Sequence, residues 1–301
     1  MMTEPLVITV ILNTNRREDT LACLDSLEAS RYGNHKVLVL DNASSDGSVA
    51  AIRDGFPDVE VLSLEKNLGY AGNNNVGIAT AIEQGADWIF VLNEDTIVDP
   101  DCLTYLVAAG ESDERIGIVG PTVYHHDEPE IIQSAGGLLD RFWVSHHLHE
   151  NERDAGQLQG LPDVDWISGC ALLVRREVVE RAGALDDRFF YYWEETEWCL
   201  RAKRAGWHIH HVPEARLWHK GVQRDYAPNP SVTYYNTRNR FLMLAKHQAP
   251  PLVWLAAWAD TLRTLTSWTV KPRWRPMHAH RDAMWQATWD FLRRRWGMRL
   301  S

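Results

Sequence analysis

Apolar and polar positions alternate in blocks along the first third of the chain. Leu6–Leu12, Lys36–Leu40, Val59–Leu64 and Trp88–Leu92 are short runs dominated by Val, Ile and Leu and bounded by polar residues, the pattern of strands buried on both faces. Between them, Glu18–Ala29, Gly47–Asp54 and Gly72–Gln84 place apolar residues at helical spacing. Strand, helix and strand recurring every 25–30 residues or so predicts βαβ units and a mainly parallel sheet flanked by helices, an α/β fold. No internal repeat and no low-complexity segment interrupts the pattern.

The polar residues that close each strand carry the chemistry. The four runs lead into Asn13-Thr14-Asn15-Arg16, Asp41-Asn42, Lys66-Asn67 and Asn93-Glu94-Asp95. In an open α/β sheet the carboxyl ends of the strands face one crevice, where ligands bind. Amides, carboxylates and cations delivered together to that edge suit a polar, phosphate-bearing ligand. Any one Asn or Asp is also a ready turn former or helix cap, so the set matters more than its members. Neither a P-loop nor a G-x-G-x-x-G after the first strand is present, which argues against a P-loop NTPase or a Rossmann dehydrogenase. Gly69-Tyr70-Ala71-Gly72 reads as a permissive turn into a helix.

Composition sets the outer bounds. With 301 residues, 45% hydrophobic and 24% charged, the chain has the make-up of a soluble globular protein of one large or two ordinary domains. A formal charge of −10 argues against nucleic-acid binding. That charge is unevenly spread. Residues 250–301 hold nine Arg and Lys against three Asp and Glu, a surplus of +6 that leaves −16 for residues 1–249, and the same segment holds seven of the 14 Trp. Cys23, Cys102, Cys170 and Cys199 lie far apart, which supports neither a zinc site nor a disulfide framework and points to a reducing compartment. Met1-Met2-Thr3-Glu4-Pro5 lacks the basic start of a signal peptide. The longest candidate for a membrane span, Leu252 to Val270, is broken by Asp260 and Arg263.

Several motifs, taken in order, resemble a family. Asp41-Asn42-Ala43-Ser44-Ser45-Asp46-Gly47-Ser48 is followed by Asn67-Leu68-Gly69-Tyr70-Ala71-Gly72-Asn73-Asn74 and by Asn93-Glu94-Asp95. Then come Trp166-Ile167-Ser168-Gly169-Cys170 and Phe189-Phe190-Tyr191-Tyr192-Trp193-Glu194-Glu195-Thr196-Glu197-Trp198-Cys199-Leu200-Arg201. Over about residues 6–246 this succession resembles family-2 glycosyltransferases, with a pattern nearest to bacterial rhamnosyltransferase-like members. The resemblance implies a GT-A fold, in which a nucleotide-binding α/β half is fused to an acceptor-binding half. It also implies inverting, metal-assisted transfer of a sugar from a nucleotide-diphosphate donor to a hydroxyl of a glycan or lipid-linked acceptor. Rhamnose from dTDP-rhamnose is the donor the pattern suggests, with UDP- and GDP-sugars open.

The same resemblance distributes roles. Asp41 matches the carboxylate that accepts from the pyrimidine ring, with capping of the next helix as its competing role. Asn13, Asn15, Arg16, Asn67, Gly69, Asn73, Asn93 and Glu94 fall in the nucleotide cleft. Asn93-Glu94-Asp95 stands where the family carries D-x-D, so Asp95 is the main ligand for Mg2+ or Mn2+ and Asn93 an uncharged helper. His219, closing Ala215-Arg216-Leu217-Trp218-His219 after a turn at Pro213, matches a metal-binding His of some relatives. His208, His210 and His211 read as structural. Glu195 matches the catalytic base, commonly Asp, and Glu194 is the other candidate. Both open a helix, Thr196–Ala205, whose dipole alone would favour acidic residues there. Glu197 is then a surface residue or a support for the pair. Trp166, Ser168, Gly169 and Trp193 fall at the diphosphate and acceptor, and the aromatic run Phe189–Trp193 either walls the acceptor or packs in the core. Arg238 and Arg240 are placed as cations over the diphosphate.

After Pro250-Pro251 the composition shifts. Trp254, Trp258, Leu262 and Leu265 share one helical face, and Trp285, Trp289, Leu292 and Trp296 form a second stripe beside Arg293–Arg295. Basic, Trp-rich amphipathic helices fit an anionic membrane interface, and packing on the catalytic domain or in a homodimer is the alternative. The expectation is a glycosyltransferase domain over 1–249 and a helical extension over 250–301. Such an enzyme would be cytoplasmic and held peripherally at the inner face of the cell membrane. Two other classes stay open. A sugar-nucleotide pyrophosphorylase would need a basic Gly-rich loop after the first strand, unlike Asn13-Thr14-Asn15-Arg16. A non-catalytic sugar- or nucleotide-binding module is left open by Asn93 and Glu195.

Overall fold

A computed structural model of the protein describes residues 4–159, 163–221 and 227–300. Met1-Met2-Thr3, on which part of the signal-peptide reading rests, lies outside the described residues. The four expected strands form as β1 (Val7–Asn13), β2 (His35–Asp41), β3 (Glu60–Ser63) and β4 (Trp88–Asn93). They pair in parallel in the order β3-β2-β1-β4. Their residues alternate between two cores. Val7, Ile11, Val39 and Phe90 pack with Cys23, Leu24 and Leu27 of α1 (Arg17–Glu28) on one side. Ile8, Val10, Leu38 and Val91 pack with Ala71, Ile78 and Ala81 of α3 (Gly69–Glu83) on the other. Burial on both faces is why the strands read as unbroken apolar runs.

Beyond β4 the sheet turns mixed. After β5 (Thr96–Val98) and α4 (Cys102–Glu111) comes β6 (Ile116–His125), with β7 (Ile132–Ser134) beside it and the hairpin β8–β9 (Gly137–Leu139, Ser145–His147) following. β10 (Ala171–Arg175) runs antiparallel between β4 and β6, and β11 (His208–His219) lies parallel to β6. As a result β1, β2, β4, β6 and β11 all end at one edge, on Asn13, Asp41, Asn93, His125 and His219, and residues 166–170 enter β10 from that edge. The strand expected over 215–219 is thus the end of a longer one. Pro213 is no turn; it sits where the register shifts between Val212 and Arg216, a bulge that tolerates a residue with no N–H to donate.

Two helix starts differ from their expected positions. α2 (Ser48–Gly55) begins after Gly47, whose φ is 82°. α3 begins at Gly69, before Gly72, because Asn67 Oδ1 accepts from Gly69 N at 2.9 Å and Asn73 Oδ1 from Leu68 N at 2.9 Å. These amides supply the N-terminal partners that a helix lacks. α5 (Arg176–Ala182) and α6 (Glu194–Arg204) complete the catalytic half.

The last helices are α7 (Pro230–Lys246), α8 (Pro251–Val270) and α9 (His278–Leu292). Their packing departs from the Trp stripes. α8 buries Val253, Ala257, Thr261 and Leu265 and leaves Leu262 53% exposed. α9 buries Ala283, Ala287 and Thr288 and leaves Trp285, Trp289 and Leu292 more than half exposed. Small residues allow close approach to α7, where Tyr234 and Tyr235 meet Ala283 and Ala287, and Phe241 meets Val253 and Ala257. The large rings of α9 therefore point outward.

Candidate active site

The shared strand edge gathers most of the expected residues. Asn13 and Asp41 are register partners on β1 and β2, and Asn13 Nδ2 donates to Asp41 Oδ1 at 2.8 Å. The second Asp41 oxygen accepts from Ser44 N at 3.1 Å. Asn15, held at φ 53°, accepts from Ser45 N at 2.8 Å and locks the two loops together. Asp41 is thus a fixed, buried carboxylate at the floor of the cleft rather than a helix cap: α2 starts seven residues later with no side-chain cap. Arg16, half exposed, pairs with Asp19 at 3.2 Å and lies near enough to Glu94 and Asp95 to favour their ionised forms. Burial nonetheless pushes the Glu94 carboxyl up to about 7, assisted by the Asp95 charge.

Asp95 and His219 converge from β4 and β11. Nε2 of His219 lies 3.0 Å from Asp95 Oδ1 and 3.5 Å from Asn93 Nδ2, and both Asp95 and His219 are only 7% exposed. Asp95 Oδ1 is buried, with the His219 ring nitrogen as its neighbour. Burial opposes ionisation of Asp95, but the neighbouring imidazole and Arg16 outweigh it and hold the carboxyl below its ordinary value. Gln133, on β7, accepts from the other ring nitrogen, Nδ1, at 2.8 Å. A neutral ring with its proton on Nδ1 would leave the Nε2 lone pair to a cation held between it and Asp95, the arrangement of a metal-ligating histidine and its outer partner. Gly221 packs close against the pair: a Cβ there would press into Asp95 Oδ2 and lie 3.0 Å from His219 Nε2, so only glycine fits. A buried carboxylate oxygen and an imidazole nitrogen facing each other at 3.0 Å are a donor set that fits a divalent cation. Gln133 carried no sequence signal, since it stands in an edge strand far from every motif.

The other side of the site is built around α6. Trp193, Tyr192 and Phe190 all have positive φ (74°, 68° and 64°), a costly run for bulky residues that persists only where the surroundings impose it. Two α7 residues impose it. Asn239 Nδ2 lies 2.8 Å from the carbonyl oxygens of Phe189, Tyr191 and Tyr192, and Arg238 donates to those of Phe189 (2.9 Å), Arg188 (3.2 Å) and Gly297 (2.6 Å). Arg238 is fully buried. It does not stand over a diphosphate; its guanidinium satisfies carbonyls that the twisted loop leaves free.

The twist separates the two glutamates. Glu195 lines a cavity of about 560 Å3 with Trp166, Trp193 and Arg240, and α8 and α9 contribute Asp260 and Met284 to its wall. Glu194 is absent from that lining, is 4% exposed and leaves Oε2 without a partner. Burial and the charge of Glu195 hold the Glu194 carboxyl well above its ordinary value. Burial also raises Glu195, while Thr196 Oγ1, 3.2 Å from Oε1, favours its ionised form. Glu197 is not a surface residue. It is buried in a network with Arg201 (3.0 Å), Lys246 (2.9 Å) and His247 (3.0 Å) that holds its carboxyl down near about 2.

The two halves meet at residues 168–170. A Cβ on Gly169 would lie 3.5 Å from Glu195 Cγ, and the Gly169 carbonyl accepts from Tyr70 of α3. Gly69, at φ 76°, has its Cβ position filled by Phe190, so no larger residue fits. Ser168 Oγ reaches Cys170 Sγ at 3.4 Å, and the carbonyl of Cys170 accepts from Asn93 N at 2.8 Å. Burial pushes the Cys170 thiol up to about 12, and the charges of Asp95 and Glu195 add to it.

Comparison with known proteins agrees with this construction. Residues 7–183 match the family model described as glycosyl transferase family 2. The chain is 29% identical over 265 residues to an N-acetylglucosaminyl-diphospho-decaprenol L-rhamnosyltransferase of Mycobacterium tuberculosis, covering 80% of this chain and 86% of that protein. It is 26% identical over 231 residues to the dTDP-rhamnosyl transferase RfbF of Shigella flexneri, covering 73% and 74%. Its fold is similar to that of the mannosyltransferase PcManGT from Pyrobaculum calidifontis, solved with GDP-Man and Mn2+, with a TM-score of 0.60 at 16% identity over 96% of this chain and 88% of that one. The GT-A architecture expected from the motifs is the one observed, and the chain belongs to glycosyl transferase family 2.

Proposed function

We propose that this glycosyltransferase moves rhamnose from dTDP-rhamnose, with inversion, to a hydroxyl of a diphosphate-lipid-linked glycan. The observation that carries the reading is Glu195, a carboxylate in the wall of a cavity shared with Trp166 and Trp193, on a chain whose Asp95–His219 pair stands at the strand edge from which residues 166–170 enter β10. Asp41, Asn13, Asn15, Asn67 and Asn73 shape the nucleotide cleft, and Arg16 adds a cation at its edge. Asp95 and His219, with Asn93 beside them, would hold Mg2+ or Mn2+, which supplies charge neutralisation for the leaving diphosphate. Glu195 takes the proton of the acceptor hydroxyl as its oxygen bonds to the anomeric carbon. The bond from that carbon to the diphosphate breaks, and its electron pair leaves with the diphosphate. Trp166 and Trp193 offer ring faces to the acceptor sugar. Both the rhamnose and the lipid-linked acceptor are supported by the names of the two relatives.

We further read α8 and α9 as a peripheral contact with the anionic inner face of the cell membrane, the enzyme itself being cytoplasmic. Of the 12 large apolar side chains exposed among the described residues, nine lie between Leu252 and Leu300. Arg293 covers the ring of Trp289 at 4.3 Å, so cation and apolar anchor share one patch. No described helix is long and apolar enough to cross a membrane.

The decisive assay offers dTDP-rhamnose, UDP-sugars and GDP-mannose to the full chain with a GlcNAc-diphosphate-lipid acceptor, with Mn2+ or with EDTA. The expected result is metal-dependent transfer from dTDP-rhamnose alone, with inverted configuration by NMR. Transfer only from another donor, or undiminished transfer in EDTA, overturns the corresponding part. Flotation with anionic and neutral vesicles tests the surface. Loss of anionic-vesicle binding in Trp285→Ser/Trp289→Ser supports it, and a homodimer in light scattering that this variant dissolves overturns it.

A further inference from the structure

The start of β11 carries a second cluster with the chemistry of a metal site, far from the catalytic one. His208 and His210 are two residues apart on a strand and so project from the same face. Asp163, which follows residues 160–162 outside the described chain, reaches both rings. Its Oδ2 lies 3.2 Å from Nδ1 of His208 and its Oδ1 2.9 Å from Nε2 of His210. The rings stand nearly perpendicular, at 83°, with centroids 6.1 Å apart. One ligand atom from each residue falls within 4.8 Å of the other two, and all three side chains are partly open to water. In a tetrahedral site with bonds of about 2.1 Å, ligand atoms sit roughly 3.4 Å apart, so small side-chain rotations close the gap. Ile209, the intervening residue, is buried in the core on the opposite face, and His211, next along the strand, bonds Thr122 at 2.9 Å.

We propose that Asp163, His208 and His210 form a binding site for a borderline transition metal, Zn2+ or Co2+, distinct from the Asp95–His219 site. Two imidazole nitrogens and one carboxylate select such ions over Mg2+ or Ca2+, and the solvent side supplies a water as fourth ligand. The site occupies the amino end of the strand whose carboxyl end bears His219, about 30 Å away at the rise of an extended strand. Its effect falls on the acceptor wall. Asp163 lies three residues before Trp166, and Asp165 between them accepts from Leu139 N and Lys203 Nζ at 2.8 and 2.7 Å. A metal joining Asp163 to β11 adds an anchor to the segment that presents Trp166 to the cavity beside Glu195.

Without a metal, the same three residues are an ion pair formed only when the histidines are protonated. Equilibrium dialysis of the full chain against Zn2+ alone, with Co2+ absorption as a second readout, separates the two. The expected result is a Zn2+ equivalent that His208→Asn/His210→Asn loses, with affinity falling by at least about 10–100-fold. His219→Asn should retain it. Zn2+ should also raise the thermal midpoint of wild type but not of the double variant. Asp163→Asn, which disturbs no strand, repeats the test should the double variant fold poorly; folding is checked by nucleotide-diphosphate binding. Equal Zn2+ stoichiometry in wild type and variants, or a Zn2+ equivalent lost only with His219, overturns the proposal.

Discussion

Nδ1 of His219 lies 2.8 Å from Oε1 of Gln133, and this one contact fixes which ring nitrogen faces Asp95. The amide oxygen can only accept, so the proton resides on Nδ1. Replacing Gln133 by Leu should leave the sheet intact, because Gln133 sits in a short edge strand, and should weaken metal-dependent activation by about 10–100-fold, as for other outer partners of metal-bound histidines. Titrating activity with Mn2+ in both proteins checks this; an unchanged half-activation concentration would remove His219 from the metal site.

Glu195 and Glu194 should respond differently to the same change. Glu195→Gln is expected to lower kcat by about 10²–10⁴-fold with donor affinity kept, the range for a lost general base. Glu194 lies outside the cavity lining, so Glu194→Gln should cost far less. Because burial raises the Glu195 carboxyl, the base form is lost on acidification at a pH above the ordinary glutamate range. The acid limb of the kcat profile should therefore lie above about 4.3. A limb at the ordinary value, or near-normal turnover in Glu195→Gln, would assign the base elsewhere.

Glu194 also makes a stability prediction. Its folded pKa is raised, so above the unfolded value of about 4.3 the unfolded chain sheds a proton that the folded chain keeps, and stability falls as pH rises. Glu194→Gln removes that term. The gap in thermal midpoint between variant and wild type should widen in the variant's favour from pH 5 to pH 8.

Glu197 has the opposite sign. Arg201, Lys246 and His247 hold its carboxyl near about 2, so its contribution is present above the unfolded value and lost as pH falls toward 2. Glu197→Ala takes the carboxylate from the buried His247 imidazole and from Arg201, while Lys246 keeps Asp186 at 2.6 Å, and a loss of about 3–5 kcal/mol is expected in denaturant unfolding.

Arg238 distinguishes two roles in one experiment. As a cation over the diphosphate, its removal would raise the KM for the donor. As the bridge between α7 and the 188–192 loop, its removal should misplace Glu195. Arg238→Met is therefore expected to lower kcat on the order of 10–100-fold with donor KM nearly unchanged, the scale for an ångström-sized displacement of a catalytic group. A selective rise in donor KM would restore the first role.

Much of the protein was written locally. Strand and helix order followed from apolar periodicity, since each β residue faces one of two cores and each helix buries one side. The resemblance singled out Asp95, His219 and Glu195, and the fold brings Asp95 and His219 within 3.0 Å and sets Glu195 in a cavity wall. Membership in a glycosyltransferase family sets aside the pyrophosphorylase and binding-module alternatives that the sequence left standing. What composition could not reveal were relations between distant segments. Gln133 stands 86 residues from His219, and Asn239 lies 47–50 residues beyond the carbonyls that it gathers. The charge of Arg238 promised an anion, yet its burial made it a scaffold. The Trp stripes left a membrane face and a packing face both open; alanines were the residues small enough to meet α7, which turned Trp285 and Trp289 outward. Periodicity shows that a helix has two faces. Which face is covered depends on the shape of the partner that arrives, and only the tertiary structure decides that.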